Sequence, residues 1–462
     1  PDLMSNLHST LNCRIKIRGI RKTLLNTLKE VIEMSQIMEN PRGGCVLAGI
    51  NSVLGAINRV CPVLHSGPGC CMQTTAAEQG QSGHKSSCFV SGVSLPSSNM
   101  LEKEVVFGGT EKLRTTIQGA VDIIDADAYF ILTGCTAGII GDDIVSVTQE
   151  FQDNGHEVYP IETPGFAGDS NLGYEIVWNT MIEQVIEENV PKDERLVNIF
   201  GVVPYHDPFW SGTLEEIDRI LSRLGLKVNT FFTKNQGIED IKKCSGAALN
   251  IIVNPWLFKG PAKKFEEKFG VPSIRIPGLF IGATDTTKFV RAVAEALKLD
   301  NELVESVIQS EEQYVYNYLA QAIGVVSWKR FAVVADASNA VGITRYLAND
   351  FSFTPVLVII SEPIFRPDDK ERIVEQINDM EYAVPPKVVF VADQYEINQA
   401  LLNEEKEITL LIGSSNDREV ALEKDIQFIL ASFPMSERLI FNRTYAGYRG
   451  SLTFTEDLYD NL

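Results

Sequence analysis

Histidine is scarce in this chain. Five among 462 residues leave little material for a Ser–His–Asp or Cys–His catalytic set, and none stands out. Phosphate-cradling signatures are missing as well: there is no Walker A pattern and no GxGxxG between a strand and a helix, so bound nucleotide is not expected. No apolar run reaches the roughly 18 residues of a transmembrane helix. Eight cysteines are too few for a disulfide scaffold at this length, and no CxxC pair is among them. Basic residues are outnumbered, 41 against 61 acidic, and the formal charge of −20 argues against nucleic acid or an anionic membrane as the main partner. The stretch Pro1 to Lys16 carries no signal-peptide core, so cytoplasm is the expected location. In that reducing compartment the cysteines are expected to be free thiols or metal ligands.

What is present is ordinary soluble composition, 44% hydrophobic and 22% charged, in a chain long enough for two or three domains. Strand-like apolar runs alternate with helical spacing along its length. Val60–Leu64, Ala128–Thr133 and Val158–Ile161 read as strands of a first unit; helices are expected over Met72–Gln79, Lys112–Val121 and Ile144–Gln152. Glu104–Gly109 reads as a short hinge. Strands over Leu196–Val203, Lys227–Phe232 and Ala248–Val253 make a second unit. After a long helix over Asn301–Trp328, strands over Phe331–Ala335, Thr354–Ile360, Lys387–Val391 and Ile408–Ile412 make a third. This alternation predicts an α/β fold of three Rossmann-like domains with parallel, doubly wound sheets. The expected boundaries are an arm or helix over 1–42, a domain over 43–190, a second over 191–300, and a connector helix with the third domain over 301–462.

The chain is organised around Cys61 to Cys71, which runs Cys-Pro-Val-Leu-His-Ser-Gly-Pro-Gly-Cys-Cys. A buried strand breaks at Gly67-Pro68-Gly69 and restarts as a helix with two thiols at its opening. A helix N-terminus favours a thiolate or an anionic cluster there. Cys45, Cys70 and Cys135 share one position type: after glycine, at a helix start or just past a strand end. A buried thiol in the core is the ordinary reading of any single cysteine. Three in matching turns point instead to a shared metal cluster. Three thiolates do not close a tetrahedral zinc site, whereas an iron–sulfur cluster completed by a second subunit suits an incomplete set. Cys61 and Cys244 read as packing or solvent-edge thiols, and Cys71 as a bystander about 100° around its helix. His65 ends the strand, either bonded to the turn or near the cluster. Asp142 and Asp143 read as a helix cap with a dipole partner.

The combination of Cys45, Pro62, His65, Gly69-Cys70, Val106-Phe107-Gly108-Gly109, Gly134-Cys135 and Ile140-Gly141-Asp142-Asp143 resembles nitrogenase component 1. The likeness covers most of the chain, including Phe433-Pro434 and Gly447-Tyr448-Arg449-Gly450 near its end. The interval of 25 residues from Cys45 to Cys70 matches the β-subunit pattern. The VFGG stretch is closer to α chains. Gly165 stands where many β chains carry a serine, and Gln73 where an aromatic residue is common.

The resemblance implies that Cys45, Cys70 and Cys135 are the cofactor-binding metal ligands, half of an interface iron–sulfur cluster of the 8Fe–7S P-cluster type or of a 4Fe–4S type. It implies that Phe107 lies where an ATP-dependent iron protein docks, with electrons passing through the cluster to a catalytic cluster on a partner subunit. The partner would be an α-like chain, in a heterotetramer, or a second copy of this chain. The catalytic cofactor of the α subunit hangs from a cysteine and a histidine. Here Leu249–Phe258 offers Asn254-Pro255-Trp256, and the late region offers Asn442 and Arg443. This chain alone would therefore not hold that cofactor. The leading expectation is a β-like, electron-relaying subunit of a dinitrogen reductase. The alternatives are a reductase of tetrapyrrole or carbon–sulfur bonds, or a non-catalytic scaffold for cofactor assembly.

Overall fold

The structure is a computed structural model and describes residues 42–83, 95–233, 235–322, 327–381 and 383–460. The expected arm over 1–42 lies outside the described residues except at its last position, as do Cys13 and Cys88. Among the described residues, twelve strands form three all-parallel sheets. The first joins β1 (Val60–His65), β2 (Ala128–Thr133) and β3 (Val158–Ile161) in that order. The second runs β5-β4-β6-β7, from β4 (Asp193–Phe200), β5 (Lys227–Asn229), β6 (Ala247–Ile252) and β7 (Ser273–Arg275). The third runs β10-β9-β8-β11-β12, from β8 (Arg330–Ala335), β9 (Thr354–Ile360), β10 (Lys387–Phe390), β11 (Leu410–Gly413) and β12 (Gln427–Leu430). Parallel strands need crossover connections, and helices supply them.

The first sheet positions the site, and its core explains its order. Alternate side chains point to opposite faces of a strand. Val60 and Leu64 of β1, with Ala128, Phe130 and Leu132 of β2, join one apolar core; Cys61, Val63, Tyr129 and Ile131 join another. Both faces are covered, so the strands read as unbroken apolar runs rather than alternating ones. The first core also takes the helices Val46–Gly55 and Ser170–Thr180, and it continues into the second unit through Trp178, Phe200 and Phe258. The helix Asn301–Ala322 buries Val304, Val307, Ile308, Val315 and Leu319 in that same core.

Several expected elements differ. Glu104–Gly109 is not a hinge: Glu102–Phe107 is a short helix whose Glu104 side chain accepts the Leu101 N–H at 2.9 Å. Having no buried residue, this helix lacks the apolar periodicity that marks most helices in a sequence. Cys135–Ile140 is also helical and ends at Gly141 in the left-handed region. The helix after Gly67 starts at Pro68 rather than Met72, which places Cys70 inside its first turn.

Candidate thiol site

The ends of three neighbouring strands deliver the site. His65 of β1 pairs with Thr133 of β2, so the two strands finish level and the turns after them leave the same edge. Cys70 follows β1 and Cys135 follows β2 at the first position of its helix, while the turn after β3 carries Gly165. Cys45 reaches the same edge from a different direction. It caps the helix Val46–Gly55, and the Val46 N–H donates to the Gly168 carbonyl at 3.0 Å.

Gly165 records how close two of these thiols come. A β-carbon there would lie 3.0 Å from Cys45 Sγ and 3.1 Å from Cys135 Sγ, so both sulfurs crowd one small volume that glycine leaves open. Cys45 and Cys70 line one cleft of about 1240 Å³, and Cys45 belongs to both groupings. Among the described residues no three His, Cys, Asp or Glu side chains are close enough to hold a single metal ion. All three thiols stand at the start of a helix. Ser66 Oγ is buried without a hydrogen-bond partner in the turn between β1 and Cys70.

The other cysteines separate from this group. Cys61 and Cys244 are buried in apolar cores, and burial pushes the Cys244 thiol well above its usual value. Cys71 donates its S–H to the Leu95 carbonyl at 3.3 Å, and burial raises its pKa, with Cys70 adding to the shift.

His65 is fully buried, and its two ring nitrogens are both engaged. Burial lowers its pKa against the opposing pull of Asp142, so the ring is neutral and carries one N–H. Nε2 lies 2.9 Å from Asp142 Oδ2, and a carboxylate only accepts, so that nitrogen bears the proton. Nδ1 then accepts from Ser98 Oγ, also at 2.9 Å. The second Asp142 bond comes from Gly109 N–H, 3.0 Å from each carboxylate oxygen. Asp143 is the helix cap, accepting the Ser146 N–H at 2.9 Å; Asp142, expected beside it in a dipole role, instead ties His65 to Gly109. Phe107, two residues before Gly109, is 81% exposed at the end of its helix.

A sequence model of the nitrogenase component 1 type oxidoreductases matches residues 45–462. The chain belongs to that family. The nitrogenase iron-molybdenum cofactor biosynthesis protein NifE of Clostridium pasteurianum is 25% identical over 422 residues, 90% of this chain and 86% of the relative. The nitrogenase molybdenum-iron protein beta chain of the same organism is 21% identical over 459 residues, 94% of each chain. The alpha chain of Methanosarcina barkeri reaches 30% over 284 residues, 58% of this chain and 51% of that one. The fold agrees: a structure described as "Nitrogenase Cp1 at pH 6.5" superposes with a TM-score of 0.75 at 20% identity, covering 92% of this chain and 93% of that one. The three-sheet α/β architecture is thus that of the family. Among the described residues no helix is long and apolar enough to cross a membrane.

The donors present suit an iron–sulfur cluster: three thiols, a glycine that keeps open the volume between Cys45 and Cys135, and a buried hydroxyl without a partner. The segments that would carry catalytic-cofactor ligands hold neither cysteine nor histidine. Asn254 is buried after β6, and Arg443 is paired with Asp457 at 2.6 Å.

Sequence reasoning missed the far wall of the cleft. Arg42 is buried there and donates through Nη2 to Asp417 at 2.5 Å and through Nε to Gln394 at 2.9 Å, joining residues hundreds of positions apart. Beside it, His206 donates from Nε2 to the Gly43 carbonyl at 2.9 Å and is kept neutral by burial. Asp336 and Glu362 sit close by; burial first, and the Asp336 charge second, push the Glu362 carboxyl up to about 8. No local motif announces Arg42 or His206, because each depends on a contact between separate units.

Proposed function

We propose that the chain is one subunit of a component 1-type complex, in which Cys45, Cys70 and Cys135 hold an iron–sulfur cluster at a subunit interface, and that the complex serves as a scaffold on which a metal cofactor is assembled. The observation that carries the cluster is the approach of Cys45 and Cys135 to Gly165. Bound there, the cluster would supply one-electron chemistry at low potential. The residues of this chain hold its thiolates at helix starts, keep side chains out of the shared volume, and offer Ser66 Oγ as a donor. The interface is supported by apolar side chains left open around the thiols: Met72, Ile139 and Phe166 are 75%, 73% and 65% exposed. Scaffold duty is favoured by the NifE relatives and by the missing cysteine and histidine.

A second reading has its own observation. Exposed Phe107, on a helix linked to the thiol-bearing strand through Asp142 and His65, suits a subunit that receives electrons from an ATP-dependent iron protein. In that case the complex is a nitrogenase-type reductase acting on dinitrogen, a tetrapyrrole or a carbon–sulfur bond.

The two readings separate in one experiment. The anaerobically purified complex, co-expressed with its partner chain, is incubated with a cofactor-free component 1 protein and, separately, assayed with an iron protein, ATP and acetylene. The scaffold reading predicts activation of the cofactor-free protein and no acetylene reduction. Acetylene reduction by the complex itself would replace it with the reductase reading.

A further inference from the structure

Where the second unit meets the third, the chain forms a crevice that no step above has used. The segment after β7 crosses between the two units. Its Leu279 N–H donates to the Ser338 carbonyl at 3.0 Å, and a β-carbon on Gly278 would meet Val341 at 2.8 Å. Beside this crossing lies an opening of about 180 Å³, at the carboxyl end of β7, where open parallel sheets gather ligands. It shares no lining residue with the cleft that holds Cys45 and Cys70.

Much of its lining is apolar and held by packing. The Phe280 and Phe289 rings stack 3.9 Å apart and 5° from parallel. Ile276 joins them from the same core, while Leu279 and Val341 come from the core of the third unit. An apolar cavity of about 150 Å³ admits one benzene ring, so this opening has room for a single ring or a branched alkyl group.

The charge around it is positive, in a chain whose formal charge is −20. Asp285 and the buried Arg345 satisfy each other through two bonds of 2.8 and 2.7 Å, and Arg345 Nη1 meets Asp379 at 3.1 Å. That arginine has no nitrogen left for a ligand. Lys288, about half exposed, lies 3.7 Å from Asp285 and 3.8 Å from Asp379, beyond hydrogen-bond distance. Arg275 is exposed and enters no ion pair among the described residues. Two solvent-facing cations thus line an apolar opening, and no carboxylate of the chain is hydrogen-bonded to either.

We infer that this crevice binds a small amphipathic carboxylate, an aromatic or branched aliphatic acid, with its apolar body against Phe280, Phe289 and Val341 and its carboxylate at Arg275 and Lys288. The inference rests on this seam alone and holds whether or not the thiols hold a cluster.

The test titrates the full chain in its complex with four probes at constant ionic strength: benzoate, isovalerate, acetate and benzyl alcohol. Calorimetry and ligand-observed NMR are the readouts. Saturable binding of benzoate, isovalerate or both is expected, about tenfold or more tighter than acetate, which lacks the apolar body. Benzyl alcohol, which lacks the charge, should bind about fivefold or more weakly than benzoate. The tighter of the two acids tells a ring from a branched chain. Arg275→Gln with Lys288→Gln should weaken binding about fivefold or more. Ala292→Trp, at an exposed helix position lining the opening, should abolish binding by filling the volume. All three positions are exposed, so neither variant disturbs a core. Absence of saturable binding by either acid, unchanged binding in Ala292→Trp, or equal affinity for benzyl alcohol and benzoate would overturn the inference.

Discussion

Gly165 is the residue on which the site turns. A β-carbon added there would sit 3.0 and 3.1 Å from two sulfurs, tighter than such contacts normally allow. Gly165→Val should therefore leave the fold intact, because the residue lies in a partly exposed turn, while lowering iron retention about tenfold or more. Iron analysis after gel filtration checks this; retention equal to the unaltered complex would contradict it. Glu362 offers a second prediction at this scale. Its carboxyl is held up to about 8, so the folded chain keeps a proton that the unfolded chain has already released. Stability should thus fall as pH rises from the ordinary carboxylate range to about 8, and level off above it. Glu362→Gln should flatten that slope and be the more stable protein at alkaline pH. Urea unfolding across the range measures it; an unchanged slope would assign the pH dependence elsewhere.

Among elements, the short helix Glu102–Phe107 depends on a latch. Its following Gly109 N–H and the buried His65 ring share the Asp142 carboxylate, and a β-carbon on Gly109 would meet Asp142 Oδ2 at 2.7 Å. Asp142→Ala strands a buried imidazole N–H and a backbone N–H, at a cost of about 1–3 kcal/mol. Chemical denaturation should register that loss, and hydrogen exchange at Val106–Gly109 should rise. Protection there equal to the unaltered chain would mean that the helix is held by other contacts. Elements of this kind also mark the limit of sequence reading. Ala128–Thr133 and Thr354–Ile360 were legible to the residue because they are long apolar runs buried on both faces. Gln427–Leu430 and Ser273–Arg275 were not: each is four residues or fewer and takes its strand geometry from the neighbour it pairs with.

For the whole molecule, the topology makes the thiols legible. A parallel sheet sends successive strand ends to one edge, so the Gly-flanked cysteines after β1 and β2 follow strand ends on the same edge of the sheet. Cys45 was harder, since its approach depends on helix packing and on the backbone bond from Val46 to Gly168. The Arg42–Asp417–Gln394 bridge was invisible, because it joins two units that no local pattern relates. The relatives shift the functional emphasis as well. The sequence alone led toward a β-like electron-relaying subunit, whereas NifE proteins stand prominently among the chains this one resembles, and the scaffold reading gains accordingly.

The central claim is that three thiols of this chain hold one cluster with a partner. Its most direct test is iron and acid-labile sulfide per complex after anaerobic co-purification, compared among the unaltered chain and Cys45→Ala, Cys70→Ala, Cys135→Ala and Cys71→Ala. The account predicts an iron–sulfur chromophore, lost or sharply reduced in each of the first three variants and retained in Cys71→Ala. A colourless, iron-free complex, or iron that survives all three substitutions, would contradict it.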